Sequence, residues 1–102
     1  MKLTHQKESG TWVLSLSGRL DAESVSEFKK AIAPFLNGEA PQLVFDLKGL
    51  EFIDSTGLGV LITLLRKLES KGGSMTLRRL SAEVVSILEI TRLNKLFTIS
   101  KS

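Results

Sequence analysis

The sequence predicts an α/β fold: a single mixed, mostly parallel β-sheet of about five strands with helices packed on it. Three observations carry this. Apolar residues switch repeatedly between the two-residue period of strands and the 3.6-residue period of helices. The order is strand, strand, helix, strand, helix, strand, helix, strand, and each strand–helix–strand unit implies parallel pairing through a right-handed crossover. The 102 residues, 42% hydrophobic and 25% charged, suit one globular domain spanning 1–102.

The elements follow in order. Leu3 to Glu8 is a weak strand candidate, and Thr11 to Ser17 a stronger one, with Trp12, Leu14 and Leu16 alternating against Val13, Ser15 and Ser17. Ser9-Gly10 between them suits a hairpin turn. Gly18-Arg19-Leu20-Asp21 breaks the alternation, and Asp21 is a candidate N-cap for a helix over Ala22 to Leu36. Val25, Phe28, Ile32 and Phe35 give that helix one apolar face, and Pro34 distorts or stops its end. After a loop at 37–41, Gln42 to Leu47 reads as a buried strand around Asp46. Lys48-Gly49 interrupts it before the short run Leu50 to Ile53. A long helix follows, about Thr56 to Ser70, with Leu58, Leu61, Ile62, Leu65 and Leu68 inward and Lys71-Gly72-Gly73 as its stop. Ser74 to Arg78 is a strand. Ser81 caps a third helix with Val84, Val85, Leu88 and Ile90 as its inward set, and Thr98 to Ser100 forms a last strand after a turn.

Composition removes several kinds of chemistry. Cysteine is absent and His5 is the lone histidine, which excludes thiolate sites and argues against His-based metal centres and a Ser-His-Asp triad. No cofactor is expected, and neither a P-loop nor a Gly-x-Ser-x-Gly motif is present. The N-terminal stretch lacks the apolar core of a signal peptide, and the longest apolar stretch, Ile53 to Leu65 apart from Asp54, is too short for a membrane span, so a soluble, cytoplasmic protein is expected. The formal charge is +3, with −1 in residues 1–51 and +4 in 52–102. The basic residues of the second half, from Arg66 and Lys67 to Arg78, Arg79 and Lys101, are scattered, and aromatics are 6% with no tyrosine. A nucleic-acid partner is therefore not expected. Arg66-Lys67 and Arg78-Arg79 read as solvated faces, and Trp12 as packing rather than a ligand platform. His5 reads as an exposed strand residue. Asp46 reads as a hydrogen-bonded strand carboxylate, with membership of an acidic cluster with Asp21 and Asp54 as the alternative.

Chemistry concentrates in Phe52-Ile53-Asp54-Ser55-Thr56-Gly57-Leu58-Gly59-Val60-Leu61, where a strand ends and a helix begins. Functional loops of α/β sheets gather at the carboxyl ends of strands. Asp54 or Ser55 can cap the helix, whose free N–H groups favour negative charge. Gly57 and Gly59 admit a second backbone. A phosphate on Ser55 would add roughly −1.5 to −2 charge at pH 7, so one spot could bind a partner when bare and reject it when phosphorylated. On residue types alone, a plain cap and turn is the favoured account of the segment, since Ser, Thr and Asp are the preferred cap residues.

Asp54-Ser55-Thr56-Gly57-Leu58-Gly59 closely resembles the signature of the STAS domain of bacterial anti-sigma factor antagonists. The resemblance extends over nearly the whole chain. Gly18-Arg19-Leu20-Asp21 is similar to the family's Gly-Glu-Leu-Asp turn, with Arg19 where glutamate is frequent. Lys71-Gly72-Gly73 and the strand after it match the family's Gly-Gly plus strand. Leu88-Glu89-Ile90-Thr91-Arg92-Leu93 followed by Leu96-Phe97 resembles its closing segment, with Arg92 where glycine is frequent. The resemblance implies a protein that is not an enzyme. Unphosphorylated, such a protein binds an anti-sigma factor serine kinase and frees a sigma factor. The kinase, which binds the ATP, phosphorylates it and ends the complex, and a serine phosphatase restores it. By position Ser55 is the implied phospho-acceptor, with Asp21, Asp54, Thr56, Gly57 and Leu58 as the implied partner-binding residues. An alternative from the same fold is a non-phosphorylated structural module of a lipid-transport ABC assembly, which the intact serine disfavours.

Overall fold

The computed structural model describes residues 1–100. Five strands form one sheet, β1 (Lys2–Glu8), β2 (Thr11–Leu20), β3 (Gln42–Ile53), β4 (Ser74–Arg78) and β5 (Thr98–Ser100), in the spatial order β1-β2-β3-β4-β5. β1 pairs antiparallel with β2, and the other neighbours are parallel. Three α-helices, α1 (Val25–Ile32), α2 (Ser55–Ser70) and α3 (Ala82–Ile90), make the crossovers. Lys101, counted above among the scattered basic residues, lies outside the described residues.

The hairpin is a two-residue turn in which Ser9 (φ 50°) and Gly10 (φ 83°) both take the left-handed conformation, so its twist matches the flanking strands. Every crossover advances one position in the same direction across the sheet. With right-handed connections, that puts α1, α2 and α3 on one face. Leu14, Leu16 and Leu20 of β2, Leu43, Phe45 and Leu47 of β3 and Met75 and Leu77 of β4 line that face and are buried. Phe28, Ile32, Leu61, Leu65, Leu68, Val84 and Leu88 meet them from the helices. Among the described residues, no layer of secondary structure lies on the opposite face.

Four expectations are corrected. β2 does not break at Gly18 but runs on to Leu20, because Gly18 takes φ 94° and lets the strand pass through. Gln42 to Ile53 is one strand of 12 residues rather than two pieces. Between the register pairs Ser15↔Asp46, Ser17↔Gly49 and Arg19↔Phe52, β3 spends an extra residue twice, in two bulges. Each bulge shifts the alternation, so the inward residues are Leu47, Leu50 and Ile53, three apart. α1 begins at Val25 with Ser24 in the cap position, not at Asp21, and its end passes into a 3₁₀ turn, Ala33–Leu36, at Pro34. Val85 and Ile90 point outward, at 39% and 82% exposed, because α3 packs through Val84 and Leu88 with Ile87 at the margin.

The ends of α2 and α3 are built alike. After α2, the Gly73 N–H donates to the Leu68 carbonyl at 2.8 Å and the Gly72 N–H to Glu69 at 3.0 Å, with Gly72 at φ 76°. At the corresponding position after α3, Arg92 stands at φ 62° and donates to the Glu89 carbonyl. Trp12 packs against Phe35, with ring centroids 4.9 Å apart, and His5, though exposed, touches both.

Candidate functional site

Ser55 is the first residue of α2, exposed, at the carboxyl end of β3. The frame around it is built by Asp54. This residue is extended (φ −107°, ψ −176°) and its Oδ1 accepts from the Gly57 N–H at 2.8 Å, which caps the helix. Its Oδ2 accepts from the Ala22 N–H at 3.1 Å, and its own N–H donates to the Leu20 carbonyl at 3.3 Å. One carboxylate thus ties the start of α2 to the loop that follows β2.

That loop is organised by Asp21. Its Oδ1 accepts from the backbone N–H groups of Glu23 and Ser24, each at 3.1 Å, and its Oδ2 meets Arg19 Nε at 3.3 Å. Its pKa is set by opposed effects: desolvation raises it, while the Arg19, Ser24 and Glu23 hydrogen bonds lower it further, for a net value below the ordinary range. Arg19, the residue that departs from the family turn, also lies over the Phe52 ring at 4.2 Å. Asp21, Glu23, Glu27 and Glu51 line a shallow concavity there with Arg19 and Met1, whose ammonium group pairs with Glu27 at 3.7 Å.

Gly57 is buried, and a Cβ there would stand 2.3 Å from the Leu20 carbonyl oxygen. The glycine therefore lets the first turn of α2 press against the end of β2. Gly59, two residues on, is exposed, and a Cβ there would meet nothing within 4 Å. It lies in a hollow of about 280 Å³ between α1 and α2, with Val25, Lys29, Thr56, Val60 and Thr63.

Of the residues the sequence singles out beside Ser55, Thr56 is exposed and Asp21 and Asp54 are half-buried. Gly57 and Leu58 are buried, Leu58 at 6% exposure within the core. Sequence reasoning missed Ala22, whose contribution is a backbone N–H, and Val25, Lys29 and Thr63, which adjoin Thr56 only once α1 and α2 are packed. The α1 apolar period points to Val25; no signal in the sequence points to the others.

Asp46 does not join Asp21 and Asp54. It is 2% exposed, and its partners are Arg79 (Nε 2.9 Å, Nη2 2.5 Å), Arg78 (Nε 3.4 Å) and the Lys48 N–H (3.1 Å). Arg78-Arg79 is thus a paired element and not merely a solvated face. Burial pushes the Asp46 carboxyl up, but the Arg79 hydrogen bond, the Lys48 N–H and the two guanidinium charges outweigh it and hold it below the ordinary range. Among the described residues no group of His, Asp and Glu could hold a metal ion, and no helix is long and apolar enough to cross a membrane.

The fold is a five-stranded α/β sheet with helices on one face and an Asp-Ser-Thr-Gly turn opening the second helix. Residues 2–102 match the model of the STAS domain, and the chain belongs to that family. It is 30% identical to the anti-sigma-B factor antagonist of Bacillus subtilis over 87 residues, 85% of this chain and 79% of that one. The crystal structure of an anti-sigma factor antagonist from Mycobacterium paratuberculosis superposes with a TM-score of 0.86 at 26% identity, covering 99% of this chain and 86% of that one. The phosphorylated form of SpoIIAA, a Bacillus cell fate determinant, shares the fold at 21% identity and a TM-score of 0.72, covering 99% and 93%. Relatives of this kind are regulatory proteins rather than enzymes.

Proposed function

We propose that this single-domain chain is a cytoplasmic anti-sigma factor antagonist that works as a phosphorylation switch. With Ser55 bare it binds an anti-sigma factor serine kinase and so frees a sigma factor. The kinase then transfers the γ-phosphoryl group of its own ATP to Ser55 Oγ. ADP leaves, the hydroxyl proton passes to a base of the kinase, and the complex ends. A serine phosphatase restores the hydroxyl.

One observation carries this reading. Ser55 is exposed at the tip of a frame in which both neighbouring segments are tied to Asp54. A hydroxyl substrate must reach a foreign active site in a fixed pose, and a rigid, protruding helix start supplies one. Thr56, Asp21 and Asp54 supply the surface around it, while Gly57 and Leu58 shape it from beneath. The phosphoryl group would add roughly −1.5 to −2 charge beside Asp54 and Asp21, at an already acidic end of the sheet. In a close interface that charge must be stripped of water, which is costly without a matching cation. The chain holds no catalytic group in this scheme and acts as substrate and ligand.

Incubation with the cognate kinase and ATP is expected to add one phosphate, read by intact mass. Ser55→Ala should abolish it and Thr56→Ala should retain it; uptake by Ser55→Ala at the wild-type rate would refute the assignment. Ser55→Asp should bind the kinase more weakly, and equal affinity would count against the switch.

A further inference from the structure

We propose that the uncovered face of the sheet is a second docking surface, for an acidic polypeptide segment, centred on Lys2, Lys48 and Arg79. This does not depend on the reading of Ser55. On that face the strand register aligns Thr4, Ser15, Asp46 and Arg78 in one row across four strands, with Lys2 and Ser17 paired in the row beside it. Lys2, Thr4, Ser15, Ser17, Lys48 and Arg79 surround a shallow concavity of about 440 Å³ whose floor includes Asp46. It holds hydroxyls, two ammonium groups and one guanidinium group, with Leu16 in its lining and no aromatic ring.

Lys2, Lys48 and Arg79 line the concavity against the one carboxylate Asp46, an excess of two, and Arg78 pairs with the same carboxylate. Glu8, farther along β1, lies on the same face. The Ser55 end, by contrast, carries more carboxylates than cations. A buried carboxylate answered by arginines is not a stabilising device when compared with an apolar residue in the same place. Arg79 also holds a left-handed backbone, φ 55°, which costs an arginine about 1 kcal/mol or more. What the arrangement provides is position. Two N–H groups of Arg79 are engaged by one oxygen of Asp46, which fixes the guanidinium plane, while the side chain stays 48% exposed. A fixed guanidinium flanked by two lysines and several hydroxyls matches carboxylates.

The shape selects the class of partner. A small molecule needs enclosure over most of its surface, and this concavity is open. An extended acidic segment can lie across a bare sheet, placing carboxylates at Lys2, Lys48 and Arg79 and using the hydroxyl row between them. With no apolar anchor, the contact is electrostatic, fast to form and sensitive to salt.

The test uses the full chain and fluorescein-labelled hexaglutamate. Saturable binding is expected, weakening as salt rises from about 50 to about 300 mM. Amide shifts should change at Thr4, Ser15, Ser17, Lys48 and Arg79. Lys2→Glu with Lys48→Glu should weaken binding about tenfold or more, while thermal unfolding stays as in the wild type. Arg66→Glu with Lys67→Glu, the same charge change on the far side of α2, should leave affinity within about twofold. Equal loss in the two double variants would reduce the effect to net charge and overturn the proposal. Shift changes confined to α2 would also overturn it, as would tighter binding of phosphatidylserine vesicles or duplex DNA than of the peptide.

Discussion

Gly57 and Gly59 sit two residues apart in α2, on different sides of the helix, and are glycines for different reasons. At Gly57 any side chain collides with the Leu20 carbonyl. Gly57→Ala is therefore expected to lower stability by about 1–3 kcal/mol, read as a drop in the urea midpoint. At Gly59 a methyl group enters open space, and helix propensity favours alanine. Gly59→Ala should stabilise the fold by up to about 1 kcal/mol; a loss would show that the hollow beside Thr56 is tighter than it stands here. Asp46 makes a third residue-scale prediction, on pH. Its folded-state pKa lies below the unfolded value, so its stabilising contribution is complete above the unfolded value of about 3.9 and is lost as pH falls through the lower, folded value. Asp46→Asn should cost about 1–3 kcal/mol at pH 7 and flatten the stability profile in that acid window, measured by urea unfolding at a series of pH values. If the profile keeps its wild-type slope, other carboxylates govern acid unfolding.

At the scale of elements, Asp54 matters for what it joins. Asp54→Ala removes the α2 cap and the tie to Ala22, and should cost about 0.5–2 kcal/mol or somewhat more. Asp54→Ser can restore the cap but is too short to bond Ala22 as well, so amide exchange in residues 21–24 should stay faster than in the wild type even where global stability recovers. The C-terminus of α3 offers the converse. Arg92 occupies the left-handed position that Gly72 fills after α2, and Arg92→Gly is expected to raise stability by about 1 kcal/mol. Much of this was legible in the residues. The hairpin turn at Ser9-Gly10, the Asp54 and Ser81 caps and the stop at Gly72-Gly73 are local devices, and local chemistry determines them. The continuity of β3 was not legible, because a bulge is defined by the partner strand and shows in one strand only as a fault in the alternation. Nor was the outward turn of Val85 and Ile90, since α3 is apolar on more sides than the sheet can cover. At the site, the Asp-Ser-Thr-Gly turn stood out, whereas the bond from Asp54 to Ala22 spans 32 positions and appears only when β2 and β3 lie side by side.

Taken as a whole, the molecule separates its charges: acidic residues gather at the end of the sheet that presents Ser55, and cations gather on its uncovered face. A partner met at one surface is thus of unlike sign to a partner met at the other, and added salt should weaken both contacts. The order of the sheet carries a different implication. Strand order in space equals strand order in the chain, so each strand pairs with the one made just before it. No strand waits for a later segment to slide in beside it. On a ribosome, the hairpin can close first, and each strand–helix unit can then dock on an edge that already exists. Such a chain can be assembled from one end in the direction of synthesis, exposing at every stage a single growing edge. A force-profile measurement on stalled nascent chains should register separate tension steps as β3 and then β4 clear the exit tunnel, where a sheet with interleaved strands would give a single late one.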